Sequence, residues 1–579
     1  MIFICVFRHA FHNNDSSKHP PLIWIISISV ASSIPTDNPT VQPYPTEQPR
    51  VSDYEEKQIK DRQLKRRMAE SIIEEYSKKR KLIDCDSEKK RTQKYSSDIM
   101  RFALTLSGYS YKAYSYVRDV FDNSLPCKGT MINYLNKIDA RPGFQQSSLF
   151  VIRDRTIDFQ DKDKHLFVSL SVDDISIHKH VHVLGSKIHG YVDIGDGPQE
   201  TLATDVMVIM ATSVNSDFKI PIAFFLINKN ISSSDRASLV TKAIEKVNET
   251  GAVIMNIACD NPKSNIAMLK LMGACLDPDK LNPKLKLKNT LGYHILAMPD
   301  TPHLAKLTRN TLGEYGTIID GEGNKVLWDH VVKLHNLQNK TGVHFANRLR
   351  KAHIEFSKDK QKVRLAVQVL SKKTANSLLF ACKDLRLPEF KDSEPTADFL
   401  MCFNNLFDIL NSRHILEKFG KAPISSKNFS YWSEEVKKCK HYIFGLKEVG
   451  GKPIVKGRRS AGFVGWLMNI ESLHILYNQY VEPGHLSFIR TYRLSQDPLE
   501  NFFSSIRSAS SLGHNNNPNV TQFISAYKRL LAGALNKSNY GNCLWNDTVS
   551  VIVQQPTTAK AIEEVQDEFQ MEDFDTDLR

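Results

Sequence analysis

Leu166-Phe167-Val168-Ser169-Leu170-Ser171-Val172 runs straight into Asp173-Asp174. Apolar and β-branched residues alternate only with serines, the pattern of a strand buried on both faces. That strand ends on a pair of carboxylates. Residues 181–193, 205–214 and 220–227 read as further strands, 233–248 as a helix, and 252–258 as a second buried strand ending at Cys259-Asp260. Residues 262–272 then read as helix and 293–298 as a short strand. Strands first, then strand–helix alternation, predict an α/β fold: a mixed sheet with flanking helices. If the strands that end at Asp173 and Asp260 are neighbours, both carboxylates leave the same edge of that sheet.

Outward from this core the pattern is helical. After about residue 321, the stretches 328–336, 344–355, 362–382 and 396–419 carry helical periodicity, which predicts a large all-α insertion. Ahead of the core, Ile99, Phe102, Ala103, Leu106 and Tyr109 share one helix face. Residues 111–120 and 128–138 make two more short helices, so this N-terminal helical region fits a helix-turn-helix module or a plain three-helix bundle. Leu64, Met68, Ile72 and Tyr76 recur every four residues in a charged helix over 54–83, either a dimerising coiled coil or a solvated single helix. Lys78-Lys79-Arg80-Lys81 and Lys89-Lys90-Arg91 suit nuclear import or phosphate contact, so a nuclear protein is expected. Prolines at 35, 39, 43, 45 and 49 make a linker. The apolar run 22–31 faintly resembles a signal peptide but is far too short to span a bilayer, so an odd start is preferred to secretion and no membrane partner is expected. The acidic tail beyond about 557 reads as disordered.

The expected divisions are 1–52 as an irregular start and linker, 53–92 as the basic helix, and 93–145 as the helical module. Residues 146–320 form the first part of the core, 321–485 the insertion, 486–535 the end of the core, and 536–579 the C-terminal segment. With 41% hydrophobic and 24% charged residues the chain of 579 has a globular balance. Lys and Arg number 77 against 64 Asp and Glu, a net charge of +13 that favours a polyanionic partner. The nine cysteines form no CxxC pair or zinc spacing, which excludes a disulfide scaffold and a recognisable zinc module.

Carboxylates gathered at one sheet edge repel unless cations sit between them, so Asp173 and Asp260 are candidate Mg²⁺ ligands. Taken singly, each is as readily a helix cap or loop residue. Asp497-Pro498-Leu499-Glu500 places two more acids on one side of a helix start, which also fits ordinary N-terminal stabilisation.

Leu494–Arg507, "LSQDPLENFFSSIR", and the following "NNNPNVTQFISAYKRLL" resemble the P element transposase family, which includes the THAP-domain transposases. The blocks Asp260-Asn261-Pro262-Lys263-Ser264-Asn265 and Pro302-His303-Leu304-Ala305-Lys306-Leu307-Thr308-Arg309-Asn310 resemble two others, and "FALTLSGYSYKAYSYVRDVF" from Phe102 a fourth. The resemblance implies a ribonuclease-H-like core with a catalytic acidic triad of Asp173, Asp260 and Glu500 holding Mg²⁺ (or Mn²⁺), with Asp497 as an additional acid. It implies hydrolysis of a phosphodiester at an element end, followed by strand transfer into double-stranded DNA, and a homo-oligomer is expected. His303, Lys306 and Arg309 are candidate DNA-phosphate contacts, though a simple basic helix face fits them too. The family's helical insertion implies a GTP site. Phe407-Asp408-Ile409-Leu410-Asn411 resembles its guanine-reading segment, with Asp408 accepting from the base, an aromatic ring stacking, and Asn411 nearby; Lys362, Val363 and Ser371 resemble its other side. No GxxxxGK[ST] loop is present, so the guanine nucleotide would be bound without hydrolysis.

Two departures bear on function. The family's Asp-Glu at the first acid is Asp173-Asp174 here, and no C-x-C…C-x-x-H arrangement precedes residue 95. A catalytically competent transposase and a domesticated or decayed relative that binds DNA, GTP or protein without cutting therefore both stay open.

Overall fold

The computed structural model describes residues 3–9, 23–29, 95–121, 123–184, 187–342, 345, 347–509, 515–532 and 550–551. The predicted basic helix, its two basic clusters, the proline linker and the acidic tail lie outside these. Residues 1–66 form one compact unit and 67–579 the other. In the first, β1 (Phe3–His9) pairs antiparallel with β2 (Ile23–Ser29). The apolar run is thus a strand there.

The second unit is built on an eight-stranded sheet. Its strands are β3 (Gly143–Phe144), β4 (Phe167–Ser176), β7 (Asp205–Ser213), β8 (Phe218–Ile227), β9 (Val253–Cys259), β10 (Lys284–Lys288), β11 (His294–Pro299) and β14 (Ser550–Val551), while β5 (His182–Leu184) and β6 (Lys187–His189) form a separate hairpin. The lateral order is β10-β11-β9-β4-β7-β8-β14, with β3 against β8. β4 runs parallel to β9 and β9 to β11, whereas β4–β7 and β7–β8 are antiparallel. This is the mixed sheet expected from the pattern. Two details differ. β4 continues three residues past Asp173, which therefore lies inside the strand, and residues 181–193 fold into a hairpin rather than one strand.

Alternation along the strands sends residues to two cores. Met207, Ile209 and Ala211 pack with the helices Ser233–Glu249 and Lys263–Leu271 and with the insertion, while Val206, Val208 and Met210 face the N-terminal helices and the C-terminal helices Asp497–Ser508 and Val520–Leu531. The N-terminal helices are Ser97–Tyr109, Tyr111–Val120 and Lys128–Asn136. Each of the first two is capped by a serine hydroxyl, Ser96 and Ser110, which accepts an orphan backbone N–H.

The insertion begins after the helix Thr301–Tyr315 and the small hairpin of β12 (Thr317–Ile319) and β13 (Lys325–Leu327). Its helices include Trp328–Thr341, Val363–Val369, Lys372–Leu379 and Glu394–Leu410. The helix expected over 362–382 breaks at Leu370-Ser371, where Ser371 caps the next helix, and that expected over 396–419 stops at Leu410. Of the described residues in 344–355, only Lys351–Ile354 is helical. The helix Ser460–Leu476 then closes the insertion onto the core. A Cβ on Gly465 would collide with Leu304 and lie 2.8 Å from the Asn261 amide, so this close approach requires glycine. Trp466 Nε1 donates to Thr308 Oγ1 at 2.9 Å across the same seam.

Candidate active site

The register of β4 against β9 sets the first two acids. Ser171 lies opposite Ala258, so continuing that register by two residues brings Asp173, within β4, level with Asp260, the residue after β9. The third acid returns from far along the chain. Arg493 is fully buried and donates to the carbonyls of Ser213 (3.1 Å) and Val214 (3.0 Å), and to those of Ser216 and the Asp217 carboxylate, clamping the returning segment to the β7–β8 turn. Asn256 Nδ2 donates to Leu494 O at 3.0 Å and Lys219 Nζ to Pro498 O at 2.7 Å. The helix Asp497–Ser508 follows, burying Leu499, Phe502, Phe503 and Ile506 at helical spacing and bringing the charge of Glu500 to bear on Asp173 and Asp300.

Burial and mutual repulsion act on these carboxylates. Burial, then the charges of Asp260, Asp174 and Glu500, push Asp173 well above the usual carboxylate range. Asp260 rises to about 6 through burial and Asp174, partly offset by Lys306 and by a 2.6 Å hydrogen bond from Asn265 Nδ2. Other acids nearby have partners of their own. Asp174 pairs with Arg236 and Asp497 with Arg413, and both arginines are almost wholly buried. Asp497 is thus turned to the insertion rather than to Asp173, with the Arg413 guanidinium also 4.7 Å from the centre of the Tyr492 ring.

Asp300 was not anticipated. It follows β11, is 1% exposed, and rises to about 8 through burial and the charges of Glu500 and Asp497. Its place before Thr301-Pro302 is the legible signal: an Asp N-cap with proline in the first turn. Among the described residues, no three His, Cys, Asp or Glu side chains stand close enough together to make a ready-made metal cage. The donor set itself, all carboxylate oxygen with mutual repulsion to relieve, fits a hard divalent cation.

The three basic candidates are not a DNA-facing stripe. Arg309 is fully buried, donating to Asn310 Oδ1 at 2.8 Å and to the carbonyls of Asp359 and Lys360 at 3.4 Å, with its guanidinium over Phe356. Its role as a phosphate contact is corrected: it ties the helix Thr301–Tyr315 to the segment at Asp359 and Lys360. Lys306 is 7% exposed and its charge bears on Asp260, while burial and Lys306 lower His303 to about 3, leaving it neutral. Replacing Arg309 with Met should cost about 3 kcal/mol of stability in urea unfolding. The same variant should leave unchanged the slope of log affinity against log salt for DNA, since no phosphate contact is lost.

The nucleotide candidates fall into two groups. Lys362 and Val363 line a cavity of about 380 Å³ with Arg348, Arg350, His353 and Arg364. Ser371, Phe407, Asp408 and Asn411 are not in its lining. Asn404 joins part of that second group, accepting from Lys372 N at 3.0 Å and donating to Asp408 Oδ2 at 3.2 Å. Phe407 is 6% exposed within the hydrophobic core, so the expected stacking ring is corrected: it packs helices together. Asn411 is 8% exposed and accepts from Arg413 at 3.3 Å.

Models of four protein domains match in chain order. They are the Transposable element P transposase-like HTH domain over 58–134, the TNP-like RNase H N-terminal domain over 140–273, the TNP-like GTP-binding insertion domain over 302–423, and the TNP-like RNase H C-terminal domain over 492–528. The chain belongs to the P element transposase family. Its RNase-H-like core is thus interrupted by the family's insertion domain, and the segment that carries Arg493 and Glu500 completes the core.

Relatives in this family include the human DNA transposase THAP9, 28% identical over 451 residues, which cover 76% of this chain and 49% of that protein. The Drosophila melanogaster Transposable element P transposase is 25% identical over 451 residues, 76% of this chain and 54% of that protein. The chain spans about half the length of the curated relatives it matches. The solved Drosophila P element transposase strand transfer complex matches with a TM-score of 0.63 at 22% identity, over 76% of this chain and 92% of that one, a likeness of fold. Among the described residues no helix is long and apolar enough to cross a membrane.

Proposed function

We propose that this chain is a DNA transposase that cleaves and joins phosphodiesters at an acidic site of Asp173, Asp260 and Glu500. The observation that carries the reading is the register of β4 against β9 in an RNase-H-like sheet, which sets Asp173 beside Asp260 where the segment anchored by Arg493 returns with Glu500. Asp173, Asp260 and Glu500 would hold Mg²⁺ or Mn²⁺. The bound cation supplies Lewis acidity, making the attacking oxygen a better nucleophile and stabilising the leaving one. The chain's own part is positioning. β4 and β9 hold two carboxylates level, the Arg493 clamp fixes the third, and Arg236 offsets the charge of Asp174 beside them. Lys306 offsets part of the charge of Asp260, and neutral His303 adds no charge beside it. With DNA as substrate, the nucleus is the working compartment.

The direct test is nicking of supercoiled plasmid by the full chain in Mg²⁺ or Mn²⁺. Wild-type protein should nick, and Asp260→Asn should lose on the order of a thousandfold in rate. Metal-dependent nicking that survives in Asp260→Asn would reject the site.

The insertion is further proposed to bind a guanine nucleotide without hydrolysing it, with the phosphates in the cavity of Arg348, Arg350, Lys362 and Arg364. Four cations around one concavity favour a polyanion. Arg350→Glu and Arg364→Glu should each weaken binding of a fluorescent GTP analogue by about tenfold or more. Asp408→Asn should instead erase a preference for GTP over ATP, and an unchanged preference would remove Asp408 from base recognition.

A further inference from the structure

We propose that Asp300 and Gln496 are positioning residues that set Glu500 against Asp173. Both are 1% exposed. The Asp300 carboxylate joins two elements: Oδ2 accepts the His303 N–H at 2.9 Å and Oδ1 the Gln496 N–H at 2.9 Å. Gln496 carries the link onward at both of its ends. Its side-chain Nε2 donates to Val172 O at 2.6 Å, one residue before Asp173. Its backbone carbonyl accepts the N–H of Leu499 at 2.8 Å and that of Glu500 itself at 2.9 Å.

One residue thereby touches the strand bearing the first acid, the loop after β11, and the turn bearing the third acid. These three pieces come from residues 172, 300 and 496–500, and the insertion stands between the last two. Chain connectivity alone cannot hold Glu500 near Asp173, and apolar packing of Leu499 and Phe502 fixes the helix without fixing its rotation to a fraction of an ångström. Directional hydrogen bonds do that, and a buried donor or acceptor left unmade penalises any other arrangement. A buried carboxylate beside Glu500 and Asp497 is otherwise costly, so an apolar residue would serve simple packing better.

The proposal rests on Glu500 being a reacting-site acid, and its test has an arm independent of that. In the full chain, Asp300→Asn turns one acceptor into a donor, and Gln496→Met removes the amide at nearly constant volume. Plasmid nicking in Mg²⁺ should fall about 100-fold in kcat, with KM for DNA within about twofold of wild type, because a misplacement of about 1 Å is felt in the chemical step. Amide exchange should quicken at residues 496–500 and stay slow in β7 and β8. Loss confined to KM, or unchanged nicking, would overturn the proposal. So would activity of Asp300→Cys restored by Cd²⁺, which would make Asp300 a metal ligand. If the wild-type chain does not nick DNA, the site reading fails while exchange still decides this one: unaltered protection at 496–500 in both variants would sink the brace.

Discussion

Arg493→Met should lower the stability of this protein by about 3–5 kcal/mol, the largest loss expected from any single polar side chain described above. Its guanidinium has no exposure and donates to three carbonyls and to Asp217. Methionine fills much of the space but leaves those carbonyls of the β7–β8 turn buried and unpaired. Arg493→Lys should recover little, because one ammonium cannot reproduce a planar fork that reaches several acceptors. Thermal unfolding and urea unfolding both read the effect, with a fall in Tm of about 3–5 °C for a unit of this size. A loss below about 1 kcal/mol would mean that the segment 492–500 is held mainly by the packing of Leu499, Phe502 and Phe503.

Asp173→Asn should separate activity from stability in opposite directions. Nicking should fall on the order of a thousandfold. Stability without divalent cations should rise, with Tm up by about 2 °C, because a buried carboxylate repelled by Asp260, Asp174 and Glu500 is replaced by a neutral amide. Adding Mg²⁺ should raise the Tm of wild-type protein, since a ligand that binds only the folded state stabilises it, and should leave the variant nearly unmoved. A variant that is both inactive and less stable would point to a structural Asp173.

The sheet was legible because its central strands are long and apolar throughout. Residues 205–214, 220–227 and 252–258 were each readable to within two residues of β7, β8 and β9. β10 was not, since Lys284-Leu285-Lys286-Leu287-Lys288 alternates charge with leucine on a sheet edge and carries a bulge against β11. The helix Ser460–Leu476 also escaped notice. It is apolar all round because it is buried between insertion and core, so no amphipathic stripe marks it. The same limit explains the site. Local spacing puts Asp497 and Glu500 on one side of a helix, yet the partner that claims Asp497 comes from residue 413, and no local pattern reveals it. Arg309 shows the same limit, since its acceptors at 359 and 360 lie 50 and 51 residues away in sequence.

The central claim is that Asp173, Asp260 and Glu500 hold one cation site between them. Fe²⁺ exchanged for Mg²⁺ in the full chain, with ascorbate and peroxide, cuts backbone beside the bound metal and so locates it directly. The account predicts cuts clustered near residues 173, 260 and 500, suppressed by excess Mg²⁺ and lost together in Asp260→Asn. Cuts elsewhere, or cuts at these three places that persist in Asp260→Asn, would contradict it.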